Sequence, residues 1–188
     1  MKQKGIQLVT NVSAATLYLG FNMLDPILSR KLRQAISIAI DAKEYISIFL
    51  NDRGAVAQSP LPPGIFGYRD WKDQSKSIEV ARRLVADAGY PNGVDAKTGK
   101  PLVLYLDWVR RGINDQTRLN WYRKQFKKLG IQLIARVTDY NRFQDKMRTG
   151  NAQIFLWVLV IDFYRYYNYS SRYILSKTFE HDYKNRPN

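Results

Sequence analysis

Residues Gly130–Trp157 read GIQLIARVTDYNRFQDKMRTGNAQIFLW, and this stretch decides the fold class. Its first part alternates apolar and polar residues, as a half-buried strand does. Asp139 then precedes a helical pattern in which apolar side chains recur three and four residues apart, and Gly150 ends that pattern. The apolar run that follows predicts a buried strand. A strand, a helix and a second strand in this order fit an α/β layered domain.

The rest of the sequence continues this alternation of strands and helices. The predicted strands lie at Gly5–Val9, Thr16–Phe21, Pro101–Trp108, Ile131–Val137 and Ala152–Asp162. Predicted helices begin near Arg30, Asp41, Ser77 and Asp139. A further helix, which stops at Gly130, is defined by the apolar positions Leu119, Tyr122, Phe126 and Leu129. Asp41 and Glu44 have the spacing of a capping box, and Gly54 is expected to end that helix. The proline-rich segment SPLPPGIFGY predicts a stiff loop. We therefore predict an α/β layered domain with some parallel pairing.

The composition indicates a folded, strongly basic chain. Of its 188 residues 45% are hydrophobic and 13% aromatic, which is enough for the core of one domain. The net charge of +14 favours anionic surroundings but does not bear on the fold. The chain has no Cys and one His, His181, so disulfides are excluded and a metal site built from His is not expected. No cofactor is predicted, since nucleotide-binding glycine motifs and HExxH do not occur.

Five ordered blocks of sequence carry a family resemblance. They read YLGFNMLDPILSRKLRQAISIAIDAKEYI, AQSPLPPGIFGY, ARRLVADAGYPNG, KKLGIQL and GNAQIFLW, and they run from Tyr18 to Trp157. In order and spacing they resemble the second lobe of the periplasmic solute-binding proteins of bacterial ABC importers, the oligopeptide/dipeptide-binding class (family 5). This resemblance implies a non-enzymatic binding component. It also implies one layered α/β lobe of the periplasmic-binding-protein type II fold, incomplete by itself.

The family fold has two lobes that enclose a peptide or similar small solute and deliver it to an ABC permease in the membrane. By resemblance this chain contributes one wall of that cleft, and the partner wall belongs to a missing first lobe. Because a single wall forfeits the closure of the cleft, we expect the chain alone to bind peptides no tighter than about 1 mM.

The blocks end at Trp157, and we assign residues 1–162 to the second lobe and residues 163–188, which are rich in Tyr and basic, to a tail unlike the family. We expect this tail to be either diverged or non-native, as translation of a disrupted reading frame would make it. The first residues lack the uninterrupted apolar core of a signal peptide. The family resemblance implies the periplasm. Because no signal peptide is recognised, the chain as written is expected to stay in the cytoplasm.

Three residues are candidate ligand contacts. The family has a motif resembling GWxADYPDPENF, in which the Asp pairs with the ammonium group of a peptide. The segment VLVIDFYRYYNY keeps Asp162 of this motif but loses the Gly, the Trp and both Pro. A helix cap or a solvated strand end is the alternative interpretation of Asp162. Tyr140 and Trp157 are candidate walls of the cleft, with positions in the core as the alternative.

A nucleic-acid-binding module is the alternative function. The segment WYRKQFKK at Trp121–Lys128 combines rings that could stack on bases with cations that could neutralise phosphates. A helix whose Lys and Arg side chains face water explains the same pattern, so binding to nucleic acid is not expected. An enzyme is not predicted either, because Asp41 and Glu44 fit a helix cap while Asp70 and Asp73 lie in a polar linker.

Overall fold

The computed structural model describes residues 15–57, 68, 77–160 and 173–175. The strands in these ranges are β1 (Ala15–Asn22), β2 (Val103–Val109), β3 (Gln132–Thr138), β4 (Ile154–Val160) and β5 (Tyr173–Leu175). The helices are α1 (Arg30–Ala39), α2 (Ala42–Leu50), α3 (Ile78–Asp87), α4 (Asp115–Lys127) and α5 (Tyr140–Thr149). The strand predicted at Gly5–Val9 and all but the last residue of the proline-rich segment lie outside the described residues.

The strands form one mixed sheet in the order β3-β2-β4-β1-β5. Strand β2 pairs parallel with both β3 and β4, while β1 pairs antiparallel with β4 and β5. The chain passes from β2 to β3 through α4 and then crosses back over β2 to β4 through α5. Because parallel crossovers are right-handed, α4 and α5 pack on opposite faces of the sheet. The predicted α/β class with parallel pairing is confirmed.

The main core lies on the face of the sheet that α1, α3 and α4 cover. It includes Leu19, Phe21, Leu32, Ile36, Val85, Leu104, Leu106, Trp108, Leu119, Tyr122, Phe126 and Leu133. A smaller cluster on the opposite face joins Phe143 of α5 to Phe155 of β4. Within the described ranges α5 is the helix that covers this second face. No helix in these ranges is long and apolar enough to cross a membrane.

A capping box at the N-terminus of α2 would have two hydrogen bonds, one accepted by the Asp41 side chain and one accepted by the Glu44 side chain. The structure has the first of them. The Asp41 side chain accepts a hydrogen bond from the backbone N–H of Glu44 at 3.0 Å. The Glu44 carboxylate does not return this bond, and its Oε2 instead accepts from the Trp121 indole at 3.0 Å and the Gln125 amide at 2.7 Å. Glu44 thus connects α2 to α4. Both of its donors on α4 are buried side chains, whereas the cap of α2 is exposed to solvent.

The predicted end of α2 at Gly54 is wrong, because the helix ends at Leu50 and Asn51 is its cap. Asn51 has a left-handed backbone with φ of 49°, and its N–H donates to the Ile46 carbonyl. Asn reaches this conformation more readily than most side chains, so a glycine is not required to stop the helix.

Gly93 and Gly130 bring two turns into direct backbone contact. Gly93 closes the short 3-10 turn Pro91–Gly93 that follows α3, and Gly130 follows the last turn of α4. Both have a left-handed backbone with φ of 77°. A Cβ atom on Gly93 would lie 2.1 Å from the carbonyl oxygen of Gly130, and one on Gly130 would lie 2.3 Å from that of Asn92. The close packing of the two turns therefore excludes a side chain at either glycine.

Candidate functional site

An open groove of about 380 Å³ lies at the carboxyl ends of β2 and β3. The chain leaves β2 toward α4 on one face of the sheet and leaves β3 toward α5 on the other, so a crevice opens between the two strands. Open α/β sheets bind ligands in such a crevice, at the point where the connections diverge. The groove is lined by Arg110, Val137, Thr138, Asp139, Tyr140 and Arg142. Topology therefore marks it as the candidate site.

The groove is polar and carries more positive than negative charge. The Arg142 Nε lies 3.5 Å from Oδ2 of Asp139. The backbone N–H of Arg142 also donates to Asp139, and this bond lowers the pKa of the Asp139 carboxyl below its usual value. Among the described residues Arg110 has no ion-pair partner, and the buried hydroxyl of Thr138 has no hydrogen-bond partner. A guanidinium group in this position favours a carboxylate ligand.

Tyr140 and Trp157, both predicted as walls of a cleft, are in contact. Their rings stack with centroids 6.0 Å apart and planes 18° apart. Phe143 also stacks on Trp157, with centroids 5.2 Å apart and planes 8° apart. Tyr140 is 52% exposed at the groove, whereas Phe143 is fully buried. Tyr140 thus presents an aromatic ring to the groove, and its role in binding stays a prediction, as does that of Trp157. Asp162 lies outside the described residues.

A fixed loop carries Arg110 to the groove. The backbone N–H of Arg110 donates to the Thr138 carbonyl at 2.9 Å, which joins the loop to the end of β3. Asp115 Oδ2 accepts from the N–H groups of Arg111 and Gly112 at 2.7 and 3.1 Å. Burial acts to raise the pKa of the Asp115 carboxyl, but these hydrogen bonds outweigh it and lower the pKa below its usual value. Asp115 is therefore ionised at neutral pH and ties the loop to the first residue of α4.

Sequence reasoning missed Arg110, Thr138 and Arg142 as groove residues. Arg110 directly follows β2, Thr138 ends β3, and Arg142 lies in the first turn of α5. Their positions at the ends of two predicted strands were a usable signal, because the carboxyl ends of the strands in a parallel sheet share one edge. The adjacency of β2 and β3 could not be read from the sequence, and that adjacency brings the three residues together.

Of the two acidic pairs singled out in the sequence, the pair Asp41 and Glu44 lies in the described part of the chain. Asp41 caps α2 and Glu44 bonds to α4. Asp70 and Asp73 lie outside the described residues. No group of three His, Cys, Asp or Glu side chains that could hold a metal ion occurs in the ranges that the structure describes.

The structure supports the helical interpretation of the basic segment in α4. Trp121, Tyr122 and Phe126 are buried in the main core, so their rings face the protein. Lys124 and Lys127 are exposed on the outer side of the helix. Because the rings are not accessible for stacking on bases, this segment lacks the aromatic platform of a single-strand-binding surface.

Residues 1–180 match the family model of the bacterial extracellular solute-binding proteins, family 5 Middle. The chain belongs to this family. Its members are periplasmic transport proteins that bind solutes and are not enzymes, in agreement with the predicted class. The division of the chain at residue 162 stays a prediction.

Relatives with curated names and solved structures agree with this assignment. Heme-binding protein A of Haemophilus influenzae is 31% identical over 142 residues, which cover 65% of this chain and 26% of the relative. The oligopeptide-binding protein AppA of Bacillus subtilis is 24% identical over 170 residues, which cover 84% of this chain and 31% of the relative. The chain therefore spans less than a third of the length of these family 5 proteins.

Two solved structures show the shared fold. HbpA2 from Haemophilus parasuis superposes with a TM-score of 0.72 at 25% identity, covering 85% of this chain and 31% of that protein. The periplasmic binding protein DppA from Helicobacter pylori, in complex with the peptide STSA, superposes with a TM-score of 0.69 at 20% identity. This match covers 80% of this chain and 28% of DppA. The described sheet and helices are thus part of a type II periplasmic-binding-protein fold, as predicted.

Proposed function

We propose that this chain forms one wall of the solute-binding cleft of a peptide-type binding protein that serves an ABC importer. The observation that supports this proposal is the groove at the carboxyl ends of β2 and β3, in a chain that belongs to family 5. The opposing wall comes from residues outside this chain, in keeping with the greater length of the relatives. The complete binding protein would work in the periplasm and pass its solute to a permease in the membrane.

The groove offers chemistry that suits the carboxylate end of a short peptide. We assign Arg110 to the carboxylate of the solute, since its guanidinium group has no ion-pair partner among the described residues. Tyr140 supplies an exposed ring against which a side chain or the peptide backbone can pack, and Trp157 supports that ring by stacking. We propose Asp162, which follows β4 by two residues in the sequence, as the partner of the peptide ammonium group.

A titration of the isotope-labelled chain with the peptide STSA, followed by NMR, tests this function. We expect chemical-shift changes confined to Arg110 and residues 137–142, with a dissociation constant of about 1 mM because one wall makes only part of the contacts. The Arg110→Gln variant is expected to weaken binding about tenfold, since it removes a charged hydrogen-bond donor. A peptide with an amidated C-terminus lacks the carboxylate that Arg110 would bind, so its affinity should fall by the same factor.

Arg123→Gln is the matched control, because it makes the same change of charge on α4 and outside the groove. It is expected to leave the peptide affinity unchanged. Shift changes spread over the basic residues of α3 and α4, or equal weakening by both Arg variants, would argue against the groove. Micromolar affinity of this chain by itself would show that the cleft does not need a second wall.

A further inference from the structure

Asp107 lies on β2 beneath α5 and is fully buried. Its Oδ1 accepts a hydrogen bond from Nζ of Lys146 at 2.7 Å, and its Oδ2 accepts one from Nη2 of Arg136 at 2.6 Å. The same Oδ2 accepts the backbone N–H of Gln153 at 3.1 Å. One carboxylate therefore joins β2, β3, α5 and the residue that precedes β4.

Helix α5 contacts the sheet at two places of different chemistry. Its N-terminal half packs through the rings of Tyr140 and Phe143 on Trp157. Its C-terminal half reaches the sheet through Met147 and through the ion pair between Lys146 and Asp107. Ring stacking restrains the N-terminal half of α5, whereas charged hydrogen bonds below 3 Å fix both distance and direction at its C-terminal half. The ion pair thus adds a directional contact to the helix whose first turn forms part of the groove.

We propose that Asp107 is a positioning residue that fixes α5 and, through it, the groove wall formed by Tyr140 and Arg142. Asp107 does not line the groove and acts through Lys146 and Arg136. Its importance for solute binding rests on the proposed function, but its effect on α5 can be measured without any solute.

Stability alone does not explain three charged groups in this position. Replacing a buried ion pair with apolar residues of similar volume is often neutral or stabilising, because the charges lose hydration when they are buried. An apolar contact in the same place would not fix the direction of α5. The location of the charges beneath the helix that borders the groove fits a role in orientation.

Hydrogen exchange of the 188-residue chain, read by mass spectrometry without a solute, tests the proposal. In Asp107→Asn the amides of α5 are expected to exchange about tenfold faster, because the loss of both ion pairs favours local opening of this helix. The amides of α4, which packs on the other face of the sheet, are expected to exchange at the unsubstituted rate.

Glu44→Gln is the matched control, since Glu44 is also a carboxylate that connects two elements, α2 and α4. It is expected to leave the exchange of α5 unchanged. If Asp107→Asn does not fold, Lys146→Met removes the bond to α5 alone and is expected to give the same local acceleration. Unchanged exchange in α5, or equal acceleration in all helices, would refute the positioning role. If α5 exchange accelerates but the peptide titration fails, the positioning of α5 stands and the proposed function fails.

Discussion

Gly93→Ala is expected to lower the free energy of unfolding by about 4 kcal/mol, which is a large share of the stability of an ordinary domain. Part of this loss is the cost of a left-handed backbone at a residue with a Cβ atom, about 1–2 kcal/mol. The larger part is steric, since the new Cβ would lie 2.1 Å from the oxygen and 2.4 Å from the carbonyl carbon of Gly130. Backbone atoms of a turn cannot move aside as the end of a side chain can.

Gly99→Ala separates the two contributions, because Gly99 has a similar φ of 68° and a methyl group added there would have no atom within 4 Å. This control should lose only the backbone contribution of about 1–2 kcal/mol. Urea denaturation of both variants, followed by circular dichroism, measures the difference. Equal destabilisation of the two variants would show that the contact between the two turns adds no steric cost at Gly93.

Gly20→Ala is expected to lower the free energy of unfolding by about 3 kcal/mol, the upper end of the usual cost of overpacking a core. Gly20 lies on β1 opposite Phe155 of β4. A methyl group at Gly20 would lie 2.2 Å from Cζ and 2.5 Å from Cε2 of the Phe155 ring. The ring cannot easily turn away, because it also packs against Phe143 of α5 and meets the Tyr18 ring edge-on.

A double substitution tests this explanation directly. Phe155→Leu removes the atoms that a methyl group at Gly20 would strike, so the pair Gly20→Ala and Phe155→Leu should be more stable than the sum of the single losses predicts. Thermal denaturation of the single and double variants gives this coupling. Gly54→Ala is the control, since its methyl group would meet side chains at an ordinary 3.5 Å. If the losses were strictly additive, the cost of Gly20→Ala would not come from contact with the Phe155 ring.

The elements that the sequence predicted well are those with strong local patterns. The alternation in Ile131–Val137 and the cap at Asp139 define β3 and the start of α5 closely, because both signals lie within a few residues. The partner of Glu44 could not be found in this way, since Trp121 lies far along the chain. The end of α2 was missed because an Asn in a left-handed conformation has no pattern that distinguishes it from an Asn in a loop.

The residues of the candidate site also differ in whether the sequence could predict them. Tyr140 and Trp157 were named because the family resemblance pointed to them, and the structure places their rings in contact. Arg110 and Thr138 gain their significance from the order of strands in the sheet, which depends on pairing between distant segments. Periodicity reports which side of a strand is buried, but it does not report which strand lies beside it.

The position of β1 has a consequence for how the chain folds. This early strand lies between β4 and β5, so Tyr18 pairs with Trp157 across most of the length of the chain. Contacts of such long range slow folding, because a large loop must close before they form. Until β4 and β5 have joined the sheet, β1 lacks both of its sheet partners, and a partly folded chain exposes a strand open to aggregation or to chaperone capture.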